Sequence, residues 1–561
     1  MPCWRNIRVL ITIVVLAVAF TADPASPQTP SPAVTAGEPL RIAFHRDDGS
    51  LTPFTFAHGY SFMTLVYDTL LWRDREGKSQ PWLASSLENE ADTRFVLRLA
   101  DGARWHDGRP VGAEDVVFTF QYLKERYHRR FTPQLSRLRS VSAQDESTVV
   151  FDLSSPEPGF PDLALTDVPI LPRHLWEGLS ATEVPQGLPV GSGPYRLTSY
   201  LPSEGYAFTA VEDYFRGPPA VKQLQVLIIP TTEERLRAIE RGGVDMTPVP
   251  FPRRAATRVR RVGTVIAEGP GFAPTMLLLN TRQPPFDELP ARQFVSLAMN
   301  LGRASSAIGR AVPAGKGLIH PESQWAPTED IHVFDQDEAR RRFSALDLPP
   351  IEIMAPTNDL VQLEAGEQAA ISFRQAGAEA EMVRMRENDL ITSIGGTGRE
   401  PTFTAAIWTG HELPSFAPSF LHSMFGPDIV GSPYSFSGLW DADLAIAFNR
   451  MSAAQEISER QAAVENVLRL IHEQAPVVPL VFSNRVFAYK QSAYSGWGFT
   501  KGRGILDKRS FVEPQVRPPG PAGSPSEPAP PPSSWPAFRF IAIGLAVIAI
   551  SLIGREIAKR R

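Results

Sequence analysis

The chain has 561 residues, with 43% hydrophobic and 21% charged side chains and a formal net charge of -5. That length exceeds what one hydrophobic core organises and predicts two or more lobes, and the acidic balance argues against nucleic acid as a partner, since neutralising phosphates needs a basic surface. The single cysteine, Cys3, excludes an intramolecular disulfide, and leaves no cysteine metal site or thiol nucleophile in the body of the chain.

Arg5 and Arg8 precede the apolar run Val9–Phe20, and Ala17-Val18-Ala19 offers a small-x-small cleavage site. Residues 1–22 are therefore predicted to be a secretory signal peptide, with an uncleaved anchor as the rival reading. Residues 23–37 read as a disordered lead-in, and the folded body as 38–511. Helical periodicity marks Ala113–Glu125, Thr231–Arg241, Leu289–Arg303, Gln362–Gln375 and Gln455–Gln474. Thr231 and Glu234 have capping-box spacing, and Gly242-Gly243 can close that helix. Strand patterns mark Arg41–His45, Arg94–Leu99, Thr148–Leu153, Ala207–Ala210, Gln223–Pro230, Met276–Leu279, Glu379–Val383 and Val477–Phe482. Strands and helices alternate throughout, so the fold class is α/β or α+β. Residues 512–534, rich in Pro, Gly, Ser and Ala, cannot bury a core and read as a stiff linker. Residues 535–554 are predicted to be a transmembrane helix. Arg555, Lys559, Arg560 and Arg561 then form a cytoplasmic basic tail, 555–561, by the positive-inside rule.

The chemistry-bearing motifs are few. There is no Gly-x-Ser-x-Gly elbow, no phosphate-binding Gly-x-x-x-x-Gly-Lys run and no His-Glu-x-x-His pair, and the ten histidines are scattered. No catalytic residue, metal ligand or cofactor is expected. The stretch "VGSGPYRLTSY", Val190–Tyr200, reads as a turn entering a strand. A positive φ is expected at Gly193, with Tyr195, Leu197 and Ser199 on one face of the strand and Arg196, Thr198 and Tyr200 on the other. A phosphate cradle would need a helix after the glycines, and none follows.

This stretch and three others together resemble the family 5 solute-binding proteins of ABC importers, the peptide, oligopeptide and nickel binding group. The family's Gly-(Thr/Ser)-Gly-Pro-Tyr turn is matched at Gly191–Tyr195. Its Asn-x-x-Tyr-x-x-Gly-x-Pro segment is matched at Val211–Pro219, with Val211 in the Asn position, and its Gly-x-(Val/Ile)-Asp end at Gly242–Asp245. Leu99–Leu123 ("LADGARWHDGRPVGAEDVVFTFQYL"), Leu277–Asn300 and Glu459–Leu480 resemble three further blocks in the family's order.

The resemblance implies a periplasmic-binding-protein type II-like (cluster C) fold, with two lobes, a ligand cleft and an extra subdomain. Lobe I would hold 38–280 and a return segment 480–511, and lobe II 281–479, with crossings near Leu279–Thr281 and Pro479–Leu480. "HDGRP", His106–Pro110, would be scaffold, with Glu114 and Asp115 in the first turn of the next helix; a metal-binding His106 is the sharper rival. Asn300 stands where the family has an acid and reads as a helix-end cap. In peptide-binding members an acid of a Trp-x-x-Asp-like segment meets the ligand's α-amino group. Here Ala405–Phe420 matches that segment, with His411 in the acid's position and Glu412 beside it. Trp408, His411, Glu412 and Tyr434 are the expected ligand-binding residues. The implied function is capture of a peptide or other small solute for delivery to ABC permease and ATPase subunits, outside the cytoplasmic membrane and anchored by the C-terminal helix. A sensor ectodomain serving a separate signalling chain and an extracellular hydrolase are the alternatives.

Overall fold

The computed structural model describes residues 38–514 apart from 57–58, 129, 181–182, 248–257, 261–262, 347, 396–399 and 426–440. The first lobe contains, in chain order, β1 (Leu40–Phe44), β2 (Leu71–Arg73), β3 (Ser79–Pro81), β4 (Ala84–Glu90), β5 (Arg94–Leu99), β6 (Leu138–Ala143), β7 (Thr148–Leu153), β8 (Tyr195–Leu201), β9 (Gly205–Ala210), β10 (Gln223–Ile228), β11 (Met246–Thr247) and β12 (Val265–Gly269). The second lobe contains β13 (Pro274–Leu279), β14 (Ala311–Pro313), β15 (Ile351–Pro356), β16 (Ala380–Met385), β17 (Ala405–Thr409) and β18 (Val477–Ser483), after which β19 (Arg485–Tyr489) returns to the first.

Lobe I is built on a seven-stranded sheet of order β12-β19-β11-β1-β10-β9-β8, with β4-β5-β7-β6 as a separate four-stranded sheet and β2-β3 as a small ribbon. Lobe II is built on one mixed sheet, β14-β18-β13-β17-β15-β16. Every residue of β13 is buried. Leu277 and Leu279 face one helical layer and Met276 and Leu278 the other, the alternation a two-sided sheet requires. Helices Leu289–Ala298, Leu301–Ile308 and Leu360–Ala376 cover the first face. Helices Ala442–Ala453 and Ile457–Gln474 cover the second, the latter through Val464, Val467, Leu468 and Ile471.

The chain therefore passes between lobes at residues 270–273 and again at Asn484, not near Leu279–Thr281 and Pro479–Leu480. β13 and β18 are uninterrupted apolar strands because both belong to the doubly covered sheet of lobe II. Helix 289–303 is also divided: Met299 and Asn300 are extended, and the Asn300 side chain accepts from the Arg303 N–H at 2.9 Å, capping a second helix. Helix Thr232–Glu240 begins under the Thr231 cap, which accepts from the Glu234 N–H at 3.2 Å, and Gly242 follows at φ +76°.

The glycines of the Val190–Tyr200 stretch are required for a different reason from the one expected. Gly193 is not in the left-handed region. A Cβ there would lie 2.4 Å from the Leu65 carbonyl oxygen, while the Gly193 N–H donates to the Val66 carbonyl at 2.8 Å. Backbone packs on backbone, and only glycine fits. In β8 a bulge between Leu197 and Ser199 resets the alternation, so Tyr200 stacks on Tyr206 at 5.3 Å.

One part of the expected fold is corrected. Among the described residues no helix is long and apolar enough to cross a membrane. The longest helices, Leu360–Ala376 and Ile457–Gln474, carry charged side chains along one face, such as Glu364, Glu367 and Arg374 in the first. The described residues form the two-lobe α/β assembly and supply no transmembrane helix to it, and residues 535–554, on which that helix was expected, lie outside the described residues, as do 1–37 and the linker from 515 onward.

Candidate functional site

The segment after β17 carries the candidate residues to the junction of the lobes. Trp408 is half-buried on β17 opposite Met276 and packs against the lobe II core on the same face as Ala406. His411 is buried beyond the strand end, and its ring packs on Phe420 at 5.1 Å. Glu412 follows at once. Trp408, His411 and Glu412 thus share one segment; Tyr434 lies outside the described residues.

Lobe I answers with Arg130, in the loop after helix Ala113–Glu125. Its Nη1 donates to His411 Nε2 at 2.5 Å, and its Nη2 lies 3.6 Å from Glu412 Oε1. Guanidinium only donates, so His411 Nε2 is the acceptor; Nδ1 accepts from the Leu413 N–H at 3.3 Å and lies 3.2 Å from Glu412 Oε2. Behind Arg130 lies Asp167, fully buried, which accepts from Arg130 Nη2 at 2.6 Å, Arg130 Nε at 2.8 Å and Gln134 Nε2 at 2.9 Å. The Arg130 guanidinium stacks over the Tyr60 ring at 4.1 Å, and the Tyr60 hydroxyl donates to the Asp167 carbonyl at 2.9 Å.

Electrostatics fix the protonation states. Burial lowers the His411 pKa to about 4, against the pull of Glu412, so the imidazole is neutral near pH 7. Burial alone would raise Glu412 and Asp167. The Arg130 and Arg503 guanidinium groups facing it hold Glu412 well below the usual carboxylate range, and Arg130 lowers Asp167 as well. The acid offered to the junction by lobe II is therefore Glu412, one residue beyond the position matched to the family's acid.

Further contacts join the lobes around this centre. The Arg73 guanidinium lies 3.8 Å from the Phe416 ring centroid, Lys501 pairs with Glu322 at 3.1 Å, and Arg46 pairs with Glu387 at 3.1 Å. A small cavity of about 30 Å³ at the junction is lined by residues including Glu157, Asp162, Trp325 and Phe416. A larger concavity of about 320 Å³, beside Trp82, Arg216 and Glu513, belongs to lobe I alone. Among the described residues no three His, Cys, Asp or Glu side chains gather as a metal site. His106 is engaged by scaffold: its Nε2 is 3.0 Å from the Gly193 carbonyl and its Nδ1 accepts from the Gly191 N–H at 3.3 Å.

Sequence reading missed Arg130, Asp167 and Tyr60. Arg130 stands in the basic run "RYHRRF", which reads as solvated surface. Asp167 did leave a signal: a lone acid inside the apolar run Leu163–Leu171 is expected to be buried and paired.

Comparison with known proteins agrees with this architecture. The family model described as "Bacterial extracellular solute-binding proteins, family 5 Middle" matches residues 78–432. The chain is 24% identical over 445 residues to a probable di/tripeptide-binding protein 5 of Pseudomonas aeruginosa, covering 75% of this chain and 83% of that protein. It is 25% identical over 342 residues to the dipeptide-binding protein of Escherichia coli, covering 54% of this chain and 63% of that one. Among solved structures, the oligopeptide-binding protein AppA of Bacillus subtilis, in complex with a nonapeptide, superposes with a TM-score of 0.74 at 17% identity, over 84% of this chain and 98% of that one.

Proposed function

Because the chain belongs to the bacterial extracellular solute-binding proteins of family 5, we propose that it captures a peptide or similarly sized solute between its lobes and releases it unaltered to the permease and ATPase subunits of an ABC importer. The names of its relatives support a peptide as the ligand. The observation that carries the reading is the charged junction, where Arg130 of lobe I meets His411 and Glu412 of lobe II, the segment in which peptide-binding members present their recognition acid. Trp408 supplies aromatic lining. The lobes touch directly through these contacts, so a solute enters when they separate, a hinge motion about residues 270–273 and Asn484. Capture takes place on the outer side of the cytoplasmic membrane.

Titration of the body with a library of di- to nonapeptides tests this. Tryptophan fluorescence and small-angle scattering should both change at saturation, and the peptide should be recovered intact. Cleavage products growing with protein and time, or unchanged scattering at saturating ligand, would count against it.

A further inference from the structure

We propose that the guanidinium of Arg503 anchors a carboxylate of the bound solute. This rests on the solute-capture reading and adds which end of the solute is held by lobe I. Arg503 stands in the loop Thr500–Gly504, closed on itself by two Thr500–Gly504 backbone hydrogen bonds of 2.8 Å. The loop lies against the first crossing segment, through the Gly502 N–H to Pro270 carbonyl bond of 3.2 Å and a bridge between Gly271 and Gly502. A Cβ on Gly502 would lie 2.7 Å from the Phe416 ring, so the loop also abuts lobe II. Arg503 is thus held at the hinge, at the border of both lobes.

Its side chain is only 9% exposed, yet Nε and Nη2 are buried with no hydrogen-bond partner. The guanidinium carbon lies 4.8 Å from the centroid of the Trp72 ring and 5.2 Å from that of Tyr60, which fix its plane. The nearest carboxylate is Asp167, whose Oδ1 is 3.8 Å away, too far for a hydrogen bond, and both Asp167 oxygens already accept from Arg130. Glu412 is committed to Arg130 and His411. Two more guanidinium groups, Arg73 and Arg485, act on the same cluster. Four cations, Arg73, Arg130, Arg485 and Arg503, stand against four carboxylates, Asp162, Asp167, Asp359 and Glu412, of which Asp167 and Glu412 are already engaged by Arg130.

A buried guanidinium with unmet donors is costly to keep. A carboxylate facing it completes charge-assisted, bidentate hydrogen bonds that a lysine in its place would not match. Trp72 and Tyr60 then flank the anion's site as rigid walls.

The test uses trialanine, trialanine amide, succinate and inorganic phosphate as probes, with isothermal titration of the wild-type protein and of Arg503→Met and Arg503→Lys. Trialanine should bind wild type at least tenfold more tightly than its amide. Arg503→Met should abolish that discrimination and raise the melting temperature of the ligand-free protein, because a buried guanidinium with unmet donors is gone; Arg503→Lys should bind with intermediate strength. A merely structural arginine would give a lower melting temperature and leave the acid-to-amide ratio unmoved. Acid and amide bound equally by wild type would overturn the assignment while leaving peptide capture standing. Succinate or phosphate bound without trialanine, and lost in Arg503→Met, would uphold Arg503 and sink the peptide reading. Failure of every anion to bind wild type at millimolar concentration would overturn the assignment.

Discussion

Arg130 of lobe I donates to Nε2 of His411 in lobe II at 2.5 Å, so each lobe ends in a group that completes the other's hydrogen bonding. The arrangement bears directly on the acid missing from position 411. A carboxylate introduced there meets an arginine first. In His411→Asp the new side chain is expected to pair with Arg130, and preference for a free peptide amino terminus over an N-acetylated one should rise less than threefold. Competition between trialanine and N-acetyltrialanine measures this; a gain beyond tenfold would mean that Arg130 turns away when ligand is bound.

Lys508 pairs with Asp68 at 2.8 Å with both side chains fully buried, and Trp82 Nε1 donates to the same carboxylate at 2.9 Å. Lys508→Met strands a buried carboxylate and should cost about 3–5 kcal/mol. The double variant Lys508→Met, Asp68→Asn should regain most of it. Urea unfolding of the single and double variants decides the matter, and equal losses in both would exclude the ion pair as the cause.

Gly193→Ala places a Cβ 2.4 Å from the Leu65 carbonyl oxygen and should destabilise by about 1–3 kcal/mol through overpacking. Gly217→Ala, at φ +96° with nothing within 4 Å, suffers backbone strain alone and should cost about 1 kcal/mol. Thermal melts that rank the pair the other way would remove the close-approach argument.

His106, His320, His332 and His411 are each lowered to about 4, burial being the first cause in every case. An unfolded histidine takes a proton near pH 6.5, whereas these remain neutral in the fold until about pH 4. Stability is therefore full above pH 6.5 and falls as pH drops through the window between the two values, by about 2 kcal/mol per histidine at pH 5. Asp167 and Glu412, lowered in the fold, lose their contribution only at still lower pH. Melting temperatures at pH 7.5 and 5.0 should show the drop, and His106→Gln should make it shallower.

Trp408→Ala should weaken peptide binding by about 1–3 kcal/mol if the ring lines the cleft. Its half-buried position against the lobe II core also predicts a lower melting temperature. Affinity unchanged at a temperature where the variant is folded would assign the ring to packing alone.

Local order was legible where one periodicity dominates. Helix Ala113–Glu125 and strands Arg94–Leu99 and Thr148–Leu153 begin and end where their patterns do. The lobe boundaries were not legible, because β13 is apolar on both faces and nothing in such a run says which lobe owns it. Trp408, His411 and Glu412 came from a segment match that periodicity could not supply. Arg130, Asp167 and Arg503 are far apart in sequence and gather only when three separate segments meet, so no spacing rule reaches them.

The return strand β19 lies between β11 and β12 in the seven-stranded sheet, although all of lobe II is inserted before it in the chain. During synthesis lobe II, continuous from Pro274 to Ser483, is complete while lobe I still has an open slot between two unpaired strand edges. The order of maturation is thus inverted: the inserted lobe can close its core first, and the lobe that began the chain closes last. Until β19 arrives, the gap beside β11 and β12 leaves strand edges to which another extended chain can pair.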